Sequence, residues 1–157
     1  MKDTGTDMKD TTNDLSSVLT FRLARAQAGL NAQATRILKK HSELSLVEWR
    51  VIRVIEDIGS ATLSRLSAEM HMDKGQLSRN VTGMIKKGLM ISTPDKHDQR
   101  KAILDVTDAG RTILRHLTPI MDERQRRLKR DITADELKVF FDVIAKIEDV
   151  VNTGDDP

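Results

Sequence analysis

The chain has 157 residues and 38% hydrophobic content, with 26 Lys/Arg against 24 Asp/Glu for a net charge of +2. That length suits one domain of about 100–200 residues or a small core with an arm, and the absence of Cys excludes disulfide scaffolds, thiol catalysis and Cys-ligated metal centres. A sequence pI of 9.0 says little about partners, because without Cys or Tyr almost nothing titrates between His and Lys.

No stretch approaches the roughly 18 apolar residues of a membrane span, and the polar, acidic start MKDTGTDMKD is unlike a signal peptide. The expectation is a soluble cytoplasmic protein without membrane association. Residues 1–12 and 152–157 are polar and read as flexible tails. From about Leu15 to His41, Leu15, Val18, Leu19, Leu23, Ala26, Leu30, Ala34, Ile37 and Leu38 recur at helical spacing. The resulting helix, about 40 Å long at 1.5 Å per residue, has more apolar stripe than one small domain covers. A partner surface accounts for the excess.

Ser45 and Glu48 form a capping-box pattern with Leu44 and Trp49 as hydrophobic staple, predicting a second helix from Ser45 to near Gly59. Thr62 caps a short third helix, LSRLSAEM, with Leu63, Leu66 and Met70 inward. Asp73 and Gln76 repeat the capping box, with Met72 and Leu77 as staple, for a fourth helix from Lys74 to about Lys87 that ends at Gly88. The periodicity then changes. Residues 89–93 and 101–106 are short and β-prone, and they flank the polar tip PDKHDQR, predicting a hairpin that buries Ala102, Leu104 and Val106 on one face. Thr107 caps a fifth helix to about Arg130, interrupted by a kink at Pro119. Thr133 and Glu136, stapled by Ile132 and Leu137, open a sixth, with Leu137, Phe140, Phe141, Ile144, Ile147 and Val151 on one side.

Enzyme chemistry finds no support in the spacing. His41, His71, His97 and His116 show no metal-ligand pattern, so no metal or cofactor is expected. The segment Gly83–Gly88 has the first spacing of a phosphate loop, but Leu89 and Met90 stand where Lys and Ser/Thr are required. No nucleophile–base pair stands out, and no catalytic residue is assigned. With Trp49, Phe21, Phe140 and Phe141 the only aromatics, base-stacking platforms for single strands are excluded as well.

The fourth helix is more informative. At 100° per residue, Leu77, Val81, Met84 and Ile85 cluster on one side, and Gly75, Gln76, Arg79, Thr82, Gly83 and Lys86 lie near the other. Small, hydrogen-bonding and cationic residues of this kind suit a major groove, where Arg and Gln bond base edges bidentately. The hairpin tip adds Lys96, His97, Arg100 and Lys101, and Arg is favoured by narrow, negative minor grooves. Asp98, two residues before Arg100, is placed to orient it by an ion pair. Short helix, turn, capped helix and charged hairpin together make a winged helix-turn-helix, with the second helix of the pair as reader. Between residues 74 and 101 seven cations face only Asp95 and Asp98, a local +5, so the rest of the chain carries −3.

The run from Leu44 to Gly110, with QLSRNV in the reading helix, KKGLM leading into the hairpin, DQRK at its tip and VTDAG after it, resembles the MarR family of bacterial transcriptional regulators. The resemblance implies a mainly α, α+β winged-helix fold with long N- and C-terminal dimerisation helices. It divides the chain into a helical dimerisation region, 13–41 and 107–151, and a DNA-binding domain, 42–106, with the recognition helix at about 73–87 and the wing at about 89–106. It implies a homodimeric repressor on a pseudo-palindromic double-stranded operator, nucleoid-associated when bound. Ser78 and Arg79 would contact phosphate or base and Arg100 would enter the minor groove; Lys74, Gln76, Thr82 and Lys86 come from the helical wheel. Members of the family bind small anionic effectors between the dimer helices and the reading domain. Here that joint falls near His41, Trp49, Arg50 and Arg111, and an aromatic carboxylate, a phenol or an acyl thioester is the expected effector. The competing reading is a helical dimeric adaptor that docks an acidic protein on its basic face. Operator preference over random duplex separates the two.

Overall fold

The computed structural model describes residues 15–96, 98 and 100–153, so the chain ends expected to be flexible lie outside it except for Asn152 and Thr153. The chain divides into two compact units, Met1–Leu114 and Arg115–Pro157. In the first, a 3-10 turn at Leu15–Ser17 precedes helix α1, Leu19–His41. The α-helix thus starts four residues later than its apolar stripe suggests, after an extended Val18 that offers no side-chain cap. Ala34 and Leu38 are buried, whereas Leu15, Val18, Leu19, Phe21 and Leu30 are exposed.

Helix α2, Leu46–Ile58, begins at the expected capping box: the Glu48 amide donates to Ser45 Oγ at 3.2 Å and the Ser45 amide donates to Glu48 Oε2 at 2.8 Å. Its buried Val51, Ile52 and Ile55 anchor the core together with Leu38, Leu66, Leu77, Met84, Met90 and Val106, each such side chain stabilising by about 1.5–3 kcal/mol. Helix α3, Leu63–Met70, is capped by Thr62 as expected, with Leu66 fully buried and Leu63 and Met70 half-buried. The turn to α4, Lys74–Lys86, passes through His71 in the left-handed region at φ 47°. The Ser67 hydroxyl, donating to the Met72 carbonyl at 2.6 Å, braces that turn.

At the end of α4 the Leu89 amide donates to Met84 O and the Gly88 amide to Ile85 O. This double closure requires a left-handed residue, and Gly88 supplies it at φ 72°. Strands β2, Met90–Pro94, and β3, Ala102–Val106, form the predicted hairpin in the register Met90↔Val106 to Pro94↔Ala102. Leu104 and Val106 are buried, but Ala102, at the outer end of the hairpin, is exposed. A further strand, β1 at Ala61–Thr62, pairs antiparallel with β3 to give a three-stranded sheet of order β1-β3-β2.

Helix α5, Asp108–Leu128, is continuous through Pro119. Loss of one N–H removes a single ladder bond, which a helix of 21 residues tolerates. In the second unit Thr133 and Glu136 form a reciprocal capping box, the Thr133 amide donating to Glu136 Oε2 at 2.8 Å and the Glu136 amide to Thr133 Oγ1 at 3.2 Å, whereas at α4 only the Asp73 half of the expected box is made. Helix α6 follows, Ala134–Thr153, and none of its residues is buried. It continues through Thr153, whose hydroxyl donates to the Val150 carbonyl.

Candidate nucleic-acid interface

Helix α4 is sided as its sequence demands: Leu77, Val81 and Met84 are buried, while Lys74, Gln76, Arg79, Thr82 and Lys86 are exposed and Ser78 is half-exposed. Asp73 fixes the N-terminus by accepting from the Gln76 amide at 2.9 Å, so the Gln76 side chain is left to solvent. The Arg79 guanidinium lies back over the first turn, 3.8 Å from where a Cβ at Gly75 would stand.

The wing tip is held by its own backbone. The Asp95 amide donates to the Lys101 carbonyl and the Lys101 amide to the Asp98 carbonyl, both at 2.8 Å. The expected Asp98–Arg100 ion pair has changed partner. Asp98 Oδ1 accepts from the Arg100 backbone amide at 3.1 Å, and Oδ2 meets Lys101 Nζ at 3.6 Å. A carboxylate two residues upstream in a tight turn reaches the following amide first, which leaves the Arg100 guanidinium without an ion pair among the described residues. Lys96, Arg100 and Lys101 are exposed, whereas His97 lies outside the described residues. Arg100 and Lys101 also line a cleft of about 420 Å³ with Thr62, Leu63, Ser64 and Ala102. Reading helix and wing thus belong to one compact unit and present most of the local +5 to solvent.

The VTDAG segment behind the wing has a physical reading that sequence alone did not supply. The Thr107 hydroxyl donates to the Gly88 carbonyl at 2.7 Å and accepts from the Gly110 amide at 3.1 Å, joining the end of α4 to the start of α5. Gly110 is packed so tightly that a Cβ would stand 2.5 Å from the Leu89 carbonyl oxygen.

Three ion pairs of the first unit escaped the sequence reading. Glu48, 7% exposed, receives Lys87 Nζ at 2.6 Å, so one carboxylate serves both the α2 cap and the end of α4. Burial pushes the Glu48 carboxyl up, but the Lys87 and Ser45 hydrogen bonds outweigh it and hold the group below its ordinary 4.5. Arg111 contacts Glu56 Oε1 at 2.9 Å, Asp105 Oδ1 at 3.0 Å and the Val106 carbonyl at 2.6 Å. Of the four residues expected to meet an effector, Arg111 is therefore already engaged, and Arg50 donates to Asn31 Oδ1 at 2.6 Å. Trp49 is buried and His41 is exposed at the end of α1. Among the described residues no group of three or more acidic or His side chains is placed to hold a metal, and no helix is long and apolar enough to cross a membrane.

Residues 44–102 match the model of the MarR family. The HTH-type transcriptional regulator FarR of Neisseria gonorrhoeae is 25% identical over 134 residues, which span 83% of this chain and 91% of that protein. The structure of BpsR from Bordetella bronchiseptica, whose DNA binding is regulated by 6-hydroxynicotinic acid, superposes with a TM-score of 0.77 at 18% identity, over 85% of this chain and 95% of that one. A mutant of MarR from E. coli complexed with operator DNA superposes with a TM-score of 0.68 at 21% identity, over 80% of this chain and 93% of that one.

Proposed function

We propose that the chain, whose residues 44–102 match the model of the MarR family, is a member of that family and a homodimeric, sequence-specific repressor that binds a pseudo-palindromic operator and is released by a small anionic or aromatic effector. The observation that carries this reading is the pairing, within one compact unit, of an exposed cationic and amide-bearing α4 face with a wing whose Arg100 lacks an ion pair among the described residues. Helix α4 enters the major groove, where Gln76 and Arg79 address base edges and Lys74, Ser78, Thr82 and Lys86 flank them. The wing enters the adjacent minor groove with Arg100, backed by Lys96, His97 and Lys101. Residues 13–41 and 107–151 supply the dimerisation region, and the protein works in the bacterial cytoplasm.

The operator complex of the E. coli relative supports the DNA reading. The response of BpsR to an aromatic carboxylate supports the effector class, with His41, Trp49, Arg50 and Arg111 as candidate contacts. Release requires only that the effector prefer a dimer whose reading heads misfit the operator spacing.

The test is binding to the promoter region of its own gene, measured as a function of salt. Several neutralised phosphates predict a steep fall of affinity with salt. Arg79→Ala and Arg100→Ala should each cost about 1–3 kcal/mol, and unchanged binding in both variants overturns the reading. Adding aromatic carboxylates, phenols and acyl thioesters to the same assay identifies the effector as the compound that lowers operator affinity.

A further inference from the structure

Helix α2 touches neither groove in the proposed complex, yet each of its two engaged carboxylates holds one of the two DNA-contacting elements. Glu48, in the first turn, holds Lys87 at the C-cap of α4 at 2.6 Å. Glu56, eight residues on, about 12 Å along the axis at 1.5 Å per residue, holds Arg111 at 2.9 Å. Arg111 in turn grips the return strand of the wing at two points, the Asp105 carboxylate at 3.0 Å and the Val106 carbonyl at 2.6 Å. Asp105 is itself fixed, because its Oδ1 also accepts from the Val106 amide at 2.7 Å.

These bonds have directions that apolar packing lacks. The buried faces of α2, α4 and β3 hold the elements together, but hydrophobic contact is non-directional and permits sliding. A guanidinium fork between a side-chain carboxylate, a second carboxylate and a carbonyl admits essentially one arrangement. Arg111 and Glu56 are about one-third exposed, and ion pairs in that setting add little net stability. Their consequence is therefore geometric.

We infer that α2 is a strut that sets the distance and angle between reading helix and wing, with Glu48–Lys87 fixing the reader and Glu56–Arg111–Asp105 fixing the wing. Lys87, Glu56 and Arg111 are positioning residues for DNA recognition and touch no DNA themselves. The inference rests on the operator-binding reading above and adds to it that residues remote from the contact face govern affinity through Arg79 and Arg100.

Three double-mutant cycles, measured by fluorescence anisotropy on one operator at low ionic strength, test it. Arg111→Lys keeps the charge and loses the fork, and Glu56→Gln keeps the shape and loses the pair. Each should weaken operator binding about tenfold, with the thermal midpoint nearly unchanged. In an Arg100→Ala background the same changes should cost less than about twofold, because the group they aim is gone. Lys87→Met should couple to Arg79→Ala in the same way. Losses that persist undiminished in either background, or wild-type affinity in Arg111→Lys and Glu56→Gln, overturn the strut while leaving the repressor reading intact. A wild-type protein that binds its operator no better than random duplex takes down both.

Discussion

Two residues show how much of the proposed interface rests on atoms outside its exposed face. Gly110 is a glycine for reasons of space rather than torsion: a Cβ there would stand 2.5 Å from Leu89 O and 2.6 Å from Val106 Cγ1, and backbone on the Leu89 side cannot yield as a flexible side chain would. Gly110→Ala should therefore destabilise the first unit by about 2 kcal/mol or more, read as a lower urea midpoint. Retained stability would mean that the α5 start is free to shift. Glu48 gives a pH-dependent expectation. Its folded carboxyl titrates below the unfolded value of about 4.5, so its stabilising contribution is complete above that value and disappears as pH falls through the lower, folded one. Glu48→Gln should cost about 1–2 kcal/mol at neutral pH. The gap between wild type and variant should narrow as the pH drops well below 4.5, and a gap that stays constant with pH would show that the Lys87 pair does not carry the difference.

At the scale of elements, what could be read from the sequence is what is decided locally. Ser45 with Glu48, Thr62, Asp73 and Thr133 with Glu136 act across three residues, and each caps the helix it announces. The hairpin is legible because Leu104 and Val106 alternate with Ile103 and Asp105 in a short β-prone run beside a polar tip, and Pro94 ends β2 where a missing N–H costs least. Strand β1 is not, since two residues carry no periodicity and Ala61–Thr62 is a strand only because β3 lies beside it. The same limit hid the ion pairs of the first unit: Glu48 and Lys87 are 39 residues apart, and nothing around either names the other. The reading face of α4 could be drawn from a helical wheel, but the groups that aim it required the tertiary structure. The Asp98 expectation went astray within a single turn, where the backbone amide of Arg100 outcompeted its side chain.

At the scale of the whole molecule, the apolar surface that this chain leaves uncovered has to be accounted for. Helix α6 has 20 residues and buries none, with Val139, Phe140, Phe141, Val150 and Val151 each more than half exposed. The 3-10 turn and the start of α1 likewise expose Leu15 and Leu19. Apolar surface of this kind on a helix marks an interface, and a second copy of the chain is the occupant that the proposed operator symmetry requires. Replacing both Phe141 and Val150 by Glu should then yield monomers by analytical ultracentrifugation while the first unit, which contains neither residue, keeps its fold. The functional consequence follows from linkage: a dimer places its second reading head at high effective concentration over the second half-site, and losing that link should lower operator affinity by about 10²–10⁴-fold. Binding to an isolated half-site, which needs one α4 and one wing, should hardly change. A variant that remains dimeric, or a monomer that binds the full operator as tightly as wild type, would place the dimer contact elsewhere or remove the need for it.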